Sequence, residues 1–154
     1  MRTAVLAHNP APTERDFELV RNSFDQVVQI AGVAADLFYM RLFEVAPSLR
    51  HLFPEDMRDQ KRQLLVMIAT LVQGLHDLDH LLPQVKALGA RHTAYGVRPQ
   101  HYNAVGEALI WTLERCLGNT FTPDVQEGWT RVYGLLASVM QEGAREVATM
   151  RAAE

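Results

Sequence analysis

The apolar residues of this 154-residue chain recur at three- and four-residue steps along most of its length. Phe17, Val20, Phe24 and Val27 do so, then Leu64, Ile68, Leu71 and Leu75, then Val105, Leu109 and Leu113. Val132, Leu135 or Leu136, and Val139 close the series. That spacing places each set on one face of a helix with 3.6 residues per turn. No long apolar–polar alternation bounded by turn residues interrupts it, so the chain reads as all-α.

Cap and breaker residues divide the pattern into helices near 13–31, 33–45, 58–76, 83–95, 99–117 and 122–151. A short turn near 47–53 and a looser connection at 77–82 complete the count. Thr13, followed by Glu14 and Asp16, is an N-cap with acids at the positive end of the helix dipole. Thr122-Pro123-Asp124 repeats that logic, with proline at the first helical position. Pro10, Pro12, Pro47, Pro54 and Pro99 fall where the periodicity breaks, and Gly32, Gly96 and Gly118 stand as helix-ending glycines. Gly106 and Gly134 lie inside predicted helices, where close helix contact is one explanation and a tolerated loss of about 1 kcal/mol the other. Residues 1–12 read as a flexible N-terminal arm and 13–152 as a single domain.

Several function classes are disfavoured at once. The net charge is −3 with scattered basic residues, which lacks the basic footprint of nucleic acid binding. The longest run without charge or histidine, Gln63 to Leu75, is shorter than the ~20 apolar residues of a membrane span. Thr3 to Ala7 is too short for the apolar region of a signal peptide, so the expected address is the cytoplasm. The single cysteine, Cys116, excludes an internal disulfide and a thiol metal cluster. No histidine pair has a convincing zinc pattern; His8 lies in the N-terminal arm, His76 and His80 read as solvated, and His51 reads as a surface residue or, alternatively, as a partner for a cofactor carboxylate. Gly-rich nucleotide loops are absent. Tyr95, Trp111 and Trp129 read as core aromatics.

Three residues depart from the bland pattern. His92 continues the apolar stripe of Val85 and Leu88. It is either a core histidine bonded to a neighbour or the kind of buried imidazole that haem iron takes as an axial ligand. Tyr39 shares a face with Ala35 and Leu42, so its hydroxyl points inward and needs a partner. Gln60 lies one turn before Leu64 on the core side of the third long helix, or else faces water as a helix-start residue. Together the three describe an apolar pocket with few polar groups, the usual make-up of a cofactor site.

From about Thr13 to Met140 the chain resembles the globin superfamily, specifically bacterial single-domain globins related to the haem domain of flavohaemoglobins. The resemblance is carried by Leu37-Phe38-Tyr39-Met40-Arg41-Leu42-Phe43, Pro47-Ser48-Leu49-Arg50-His51-Leu52-Phe53 and Leu82-Pro83. It continues through Arg91-His92-Thr93-Ala94-Tyr95-Gly96-Val97, Pro99-Gln100-His101-Tyr102, and Trp129 with Val132-Tyr133-Gly134. It implies a globin fold: a helical sandwich around a haem pocket, with a short third helix and haem b as cofactor. His92 is then the proximal metal ligand, Phe53 the wedge against the porphyrin, Tyr39 and Gln60 the distal pair, and Leu64 the apolar residue over the iron. Tyr102 matches a tyrosine that holds the proximal imidazole together with an acid. Where that acid is expected, two residues after Trp129, this chain has Arg131, and Glu127 one turn earlier is the candidate substitute.

The implied function is reversible, high-affinity oxygen binding for storage, delivery or scavenging, with carbon monoxide and nitric oxide as further gas ligands. Without a histidine at the distal position, the ferrous iron is expected to be five-coordinate. The alternative is a nitric oxide dioxygenase served by a separate reductase, since the chain carries no reductase region. A haem-free signalling module of the same fold is the outsider.

Overall fold

The computed structural model describes residues 10–153, and within them six α-helices and two short 3₁₀ segments follow one another without a strand. They are α1 (Glu14–Val28), α2 (Ala31–Val45), α3 (Arg58–Gly74), α4 (Leu78–Ala94), α5 (Pro99–Leu117) and α6 (Pro123–Ala153). The 3₁₀ segments, Pro47–Leu52 and Gly118–Thr120, follow α2 and α5. Among the described residues no helix is long and apolar enough to cross a membrane. Most of the expected arm at 1–12, His8 included, lies outside the described residues.

Most boundaries follow from local chemistry. Thr13 and Asp16 form a reciprocal capping box, the Asp16 amide donating to Thr13 Oγ1 at 3.2 Å and the Thr13 amide to Asp16 Oδ2 at 2.8 Å. Thr122 caps α6 by accepting from the Val125 amide at 3.3 Å. Gly96 and Gly118 follow α4 and α5 with φ of 95° and 54°, left-handed conformations that side chains disfavour.

Two boundaries differ from the sequence reading. Gly32 does not end a helix. The chain turns at Ile30 and Gly32 lies in the first turn of α2. The start of α4 is the larger correction, since the helix begins at Leu78 and takes in the expected connection at 77–82 as well as Pro83. Asp77 is its cap, accepting from the His80 amide at 3.3 Å. Pro83 sits early enough that the helix gives up only one backbone bond there, to the Asp79 carbonyl.

Helix α6 is the beam on which α1 and α4 register. Helices α1 and α4 pack along it, α2 packs on α5, and α3 makes fewer contacts with its neighbours. The main core joins Phe17, Val20 and Phe24 of α1 to Val85 of α4, Leu113 of α5 and Trp129 of α6. A second cluster gathers Phe38, Tyr39 and Leu42 of α2 with Leu49 and Ala108. Trp129 satisfies its indole by donating to Ser23 Oγ at 2.8 Å, and Ser23 donates in turn to the Leu19 carbonyl at 2.6 Å. Of the other two expected core aromatics, Trp111 is half-buried with the guanidinium groups of Arg41 and Arg115 over its ring, 5.3 and 4.2 Å from the centroid. Tyr95 is 66% exposed, because α4 ends beneath it and the chain turns away at Gly96.

Asp16 is almost fully buried and faces Arg131 of α6, whose Nη1 donates to Asp16 Oδ2 at 3.3 Å. Burial alone would raise its pKa. The Thr13 donors and the Arg131 charge outweigh that and hold the carboxyl below its ordinary value of 3.8. A depressed folded pKa stabilises the protein above the unfolded value and is lost as pH falls through the folded one. Asp16→Ala is therefore expected to lower stability by about 2 kcal/mol at pH 7, through the lost cap and the lost ion pair to Arg131. Denaturant melts should show that deficit unchanged down to about pH 4 and shrinking below it. A deficit independent of pH down to about pH 2 would contradict the assignment.

Candidate functional site

A cavity of about 970 Å³ lies between α2, α3, α4, α5 and α6, at the upper end of the usual range for cofactor and ligand pockets. Tyr39, Phe53, Gln60, Leu64, His92 and Tyr102, drawn from separate stretches of sequence, all line it.

Apolar surface dominates its lining, and Tyr39 and His92 among its polar groups have definite hydrogen-bonding states. Tyr39 is held on α2 with its ring edge-on to Phe38 at 5.1 Å and to Phe53 at 5.6 Å. Gln60, in the first turn of α3, donates from Nε2 to Tyr39 Oη at 3.3 Å. The phenol oxygen is thus an acceptor in that bond, and its own proton stays available to another acceptor. Burial raises the Tyr39 pKa despite the Gln60 bond, so the hydroxyl keeps its proton at neutral pH. The inward Tyr39 and the core-side reading of Gln60 are both what the structure shows.

His92 lies in the last turn of α4, half-buried, with Nδ1 2.8 Å from the Leu88 carbonyl. A carbonyl can only accept, so Nδ1 carries the proton and Nε2 keeps its lone pair. Burial, and secondarily the Arg91 charge, hold the imidazole below its ordinary pKa against the opposing effect of the Leu88 bond. It is a neutral imidazole with one committed and one uncommitted nitrogen.

Tyr102 is buried on α5, and its hydroxyl has no partner among the described residues. Its backbone carbonyl accepts from Tyr133 Oη at 2.6 Å. Glu127 does not serve as the acid beside Tyr102 and His92. It pairs with Arg131 one turn along α6, on the face that Arg131 shares with Asp16 of α1. No Asp or Glu is among the residues lining the cavity.

Arg62, Arg91 and His101, for which the sequence suggested no role, also line the cavity. His101 Nδ1 accepts from the Arg98 amide at 2.9 Å, which leaves its proton on Nε2 as a free donor. The available signal was His101 at the third position of a helix opened by Pro99. The cavity therefore offers an aliphatic and aromatic interior, basic side chains of which Arg62 pairs with Asp59, and one imidazole nitrogen free to bind a metal. A flat, mostly apolar macrocycle bearing carboxylates and a metal fits that donor set.

Comparison with known proteins points to one family. A family model described as Globin matches residues 36–140. The chain is 27% identical over 126 residues to the flavohemoprotein of Bacillus subtilis and 28% identical over 137 residues to that of Vibrio cholerae. It spans about a third of the length of those two relatives, 32% and 35%. Neuroglobin of Tetraodon nigroviridis is 30% identical over 146 residues, 85% of this chain and 91% of that one. An engineered carbene transferase, made from a Rhodothermus marinus protein named as a nitric oxide dioxygenase, superposes with a TM-score of 0.81. That match covers 92% of this chain and 99% of the other at 23% identity, a likeness of fold.

The Tyr39–Gln60 bond can be measured without any ligand. In a double-mutant cycle of Tyr39→Phe and Gln60→Leu, the coupling energy is expected to be about 0.5–1.5 kcal/mol by denaturant unfolding. Strict additivity would show that the two side chains do not interact.

Proposed function

The chain belongs to the globin family, and from that premise we propose that it binds haem b and uses it to bind oxygen reversibly at high affinity, for storage, delivery or scavenging. The observation that carries this reading is the pairing within one apolar cavity of a neutral imidazole with a free Nε2 and a phenol with a free proton. Haem held by one imidazole supplies an iron position open to diatomic gases.

The protein's own residues do the rest. His92 would hold the iron through Nε2, its ring orientation set by the Leu88 carbonyl. Arg91 and His101 line the cavity and would receive the carboxylates of the cofactor, and Phe53 and Leu64 would supply apolar surface against it. Tyr39 Oη would donate a hydrogen bond to a diatomic ligand in the space beside it, and Gln60 fixes that hydroxyl by donating to its lone pair. A hydrogen bond from that hydroxyl to a ligand bearing partial negative charge would be worth about 1–3 kcal/mol. At about 1.4 kcal/mol per tenfold, one bond of this kind slows oxygen release by roughly one to two orders of magnitude. Carbon monoxide gathers less charge and gains less. No histidine lines the cavity from α2 or α3, so no imidazole from those helices would compete for the metal.

A second reading rests on the same distal pair and on the similarity to flavohemoproteins. In it the chain is a nitric oxide dioxygenase, restored to the ferrous state by a separate reductase, and the cytoplasm is the natural setting for either role. The proximal side favours the first reading. His92 has a neutral carbonyl partner and no carboxylate, so its electron donation to a bound metal stays modest.

Stopped-flow oxygen dissociation tests the distal assignment. Tyr39→Phe is expected to accelerate release at least several-fold while changing carbon monoxide release much less. An unchanged oxygen off-rate would overturn it. Sustained nitric oxide consumption by the wild-type protein with a reductase and NADH would move the conclusion to the dioxygenase.

A further inference from the structure

The backbones of α4 and α6 touch at two glycines. A methyl group at Gly89 would overlap the backbone carbonyl of Met140, and one at Gly143 would overlap the backbone carbonyl of Lys86. The contact is reciprocal. Gly89 follows Lys86 by three residues on α4, and Gly143 follows Met140 by three on α6. Each helix is therefore pressed by its partner one turn from where it presses back, which fixes both the separation and the axial register. Ordinary helix pairs sit about 8–10 Å apart according to the side chains between them, and only glycine permits backbone contact.

Other glycines provide the contrast. A methyl at Gly128 would meet Asp16 of α1 at 3.4 Å, an ordinary contact, and at Gly74 the obstacle is the side chain of Leu81, which can move. At Gly89 and Gly143 the obstacle is a helical carbonyl that cannot rotate aside. Lys86 reinforces the crossing with ion pairs to Glu142 and Glu146, both at 3.2 Å.

We propose that this reciprocal glycine contact is the positioning device for His92, holding α4 in place whether or not the cofactor is bound and so setting where the imidazole meets the cavity. The inference rests on the reading of His92 as the metal ligand. Gly89 lies one turn before His92, and its carbonyl accepts from Thr93 Oγ1 at 3.2 Å, while the adjacent Leu88 carbonyl fixes the imidazole. Displacing the backbone at Gly89 therefore displaces the acceptor that orients the ring. The wall formed by α3 is built differently. Of its 17 residues only Val72 is buried, while Gln60 and Leu64 face the cavity. The ligand-bearing helix is held by protein alone, and the opposite wall is held in part by whatever fills the cavity.

Two experiments decide it. Hydrogen exchange on the protein with and without hemin should find the amides of residues 86–93 protected in both forms, and those of α3 protected only with hemin. Exchange of 86–93 as fast as α3 in the hemin-free protein overturns the proposal. This arm reads the contact even if the chain takes up no hemin, so its failure is distinct from failure of the functional reading.

The second compares Gly89→Ala and Gly143→Ala with Gly128→Ala as the control. In the reduced, hemin-loaded protein the first two should shift the iron–histidine stretching band and speed hemin loss to an acceptor protein roughly tenfold. Gly128→Ala should leave both near wild type. Adding Met140→Ala to Gly89→Ala should restore nothing, because the obstacle is backbone. An unshifted band in Gly89→Ala, or restoration by Met140→Ala, overturns the proposal, and if the alanine variants do not fold the exchange measurement alone decides.

Discussion

Helices α1 and α4 are placed by reference to α6, and the tightest of its contacts is the backbone approach of α4. Two glycines permit it and two helical carbonyls limit it. Asp16 and Arg131 bind α1 to the same helix, and Trp129 adds the buried bond to Ser23. With α1 and α4 registered on one beam, the main core closes around Val20, Val85 and Trp129, and the volume left over is bounded by α2, α3 and α5. The cavity is what remains once the close contacts are satisfied.

The polar groups of that cavity form a short chain of one-way decisions. Leu88 offers only an acceptor, so His92 Nδ1 must donate. Gln60 offers a donor, so the Tyr39 proton is released from that bond. Burial then keeps both groups neutral, the imidazole unprotonated and the phenol protonated. Neutral groups with defined donors and lone pairs suit a site where charge develops only on the ligand, since a fixed charge would have to be balanced before anything bound.

The sequence carried the helices because their signals are local. Thr13, Thr122 and Pro99 act within one turn of themselves, and the three-and-four spacing of Phe17 to Val27 holds whatever α1 packs against. The start of α4 misled because Pro83 is a conspicuous breaker and Asp77 an unobtrusive cap, although a proline near the start of a helix removes few backbone bonds. Tyr95 misled because periodicity does not say where the helix beneath it stops. The site residues were legible by type and by family resemblance, as an imidazole on an apolar stripe and an inward phenol. Their assembly was not, since Tyr39 and Gln60 meet only through the tertiary fold. Neither were the roles of Gly89 and Gly143, because a glycine that admits another backbone looks in sequence like any glycine within a helix. Glu127 had the right charge at a plausible spacing but pairs instead with Arg131, on the other side of α6.

The functional reading depends above all on His92 as the metal ligand within this cavity. An equimolar hemin titration followed by visible absorption tests it, on the wild-type protein and on His92→Gly with and without free imidazole. The expected result is a sharp haem band in the wild type, a five-coordinate high-spin spectrum on reduction, and a large shift under carbon monoxide. His92→Gly should lose this spectrum and regain it with imidazole. No haem band in the wild type, or an identical spectrum in His92→Gly without imidazole, would contradict the assignment.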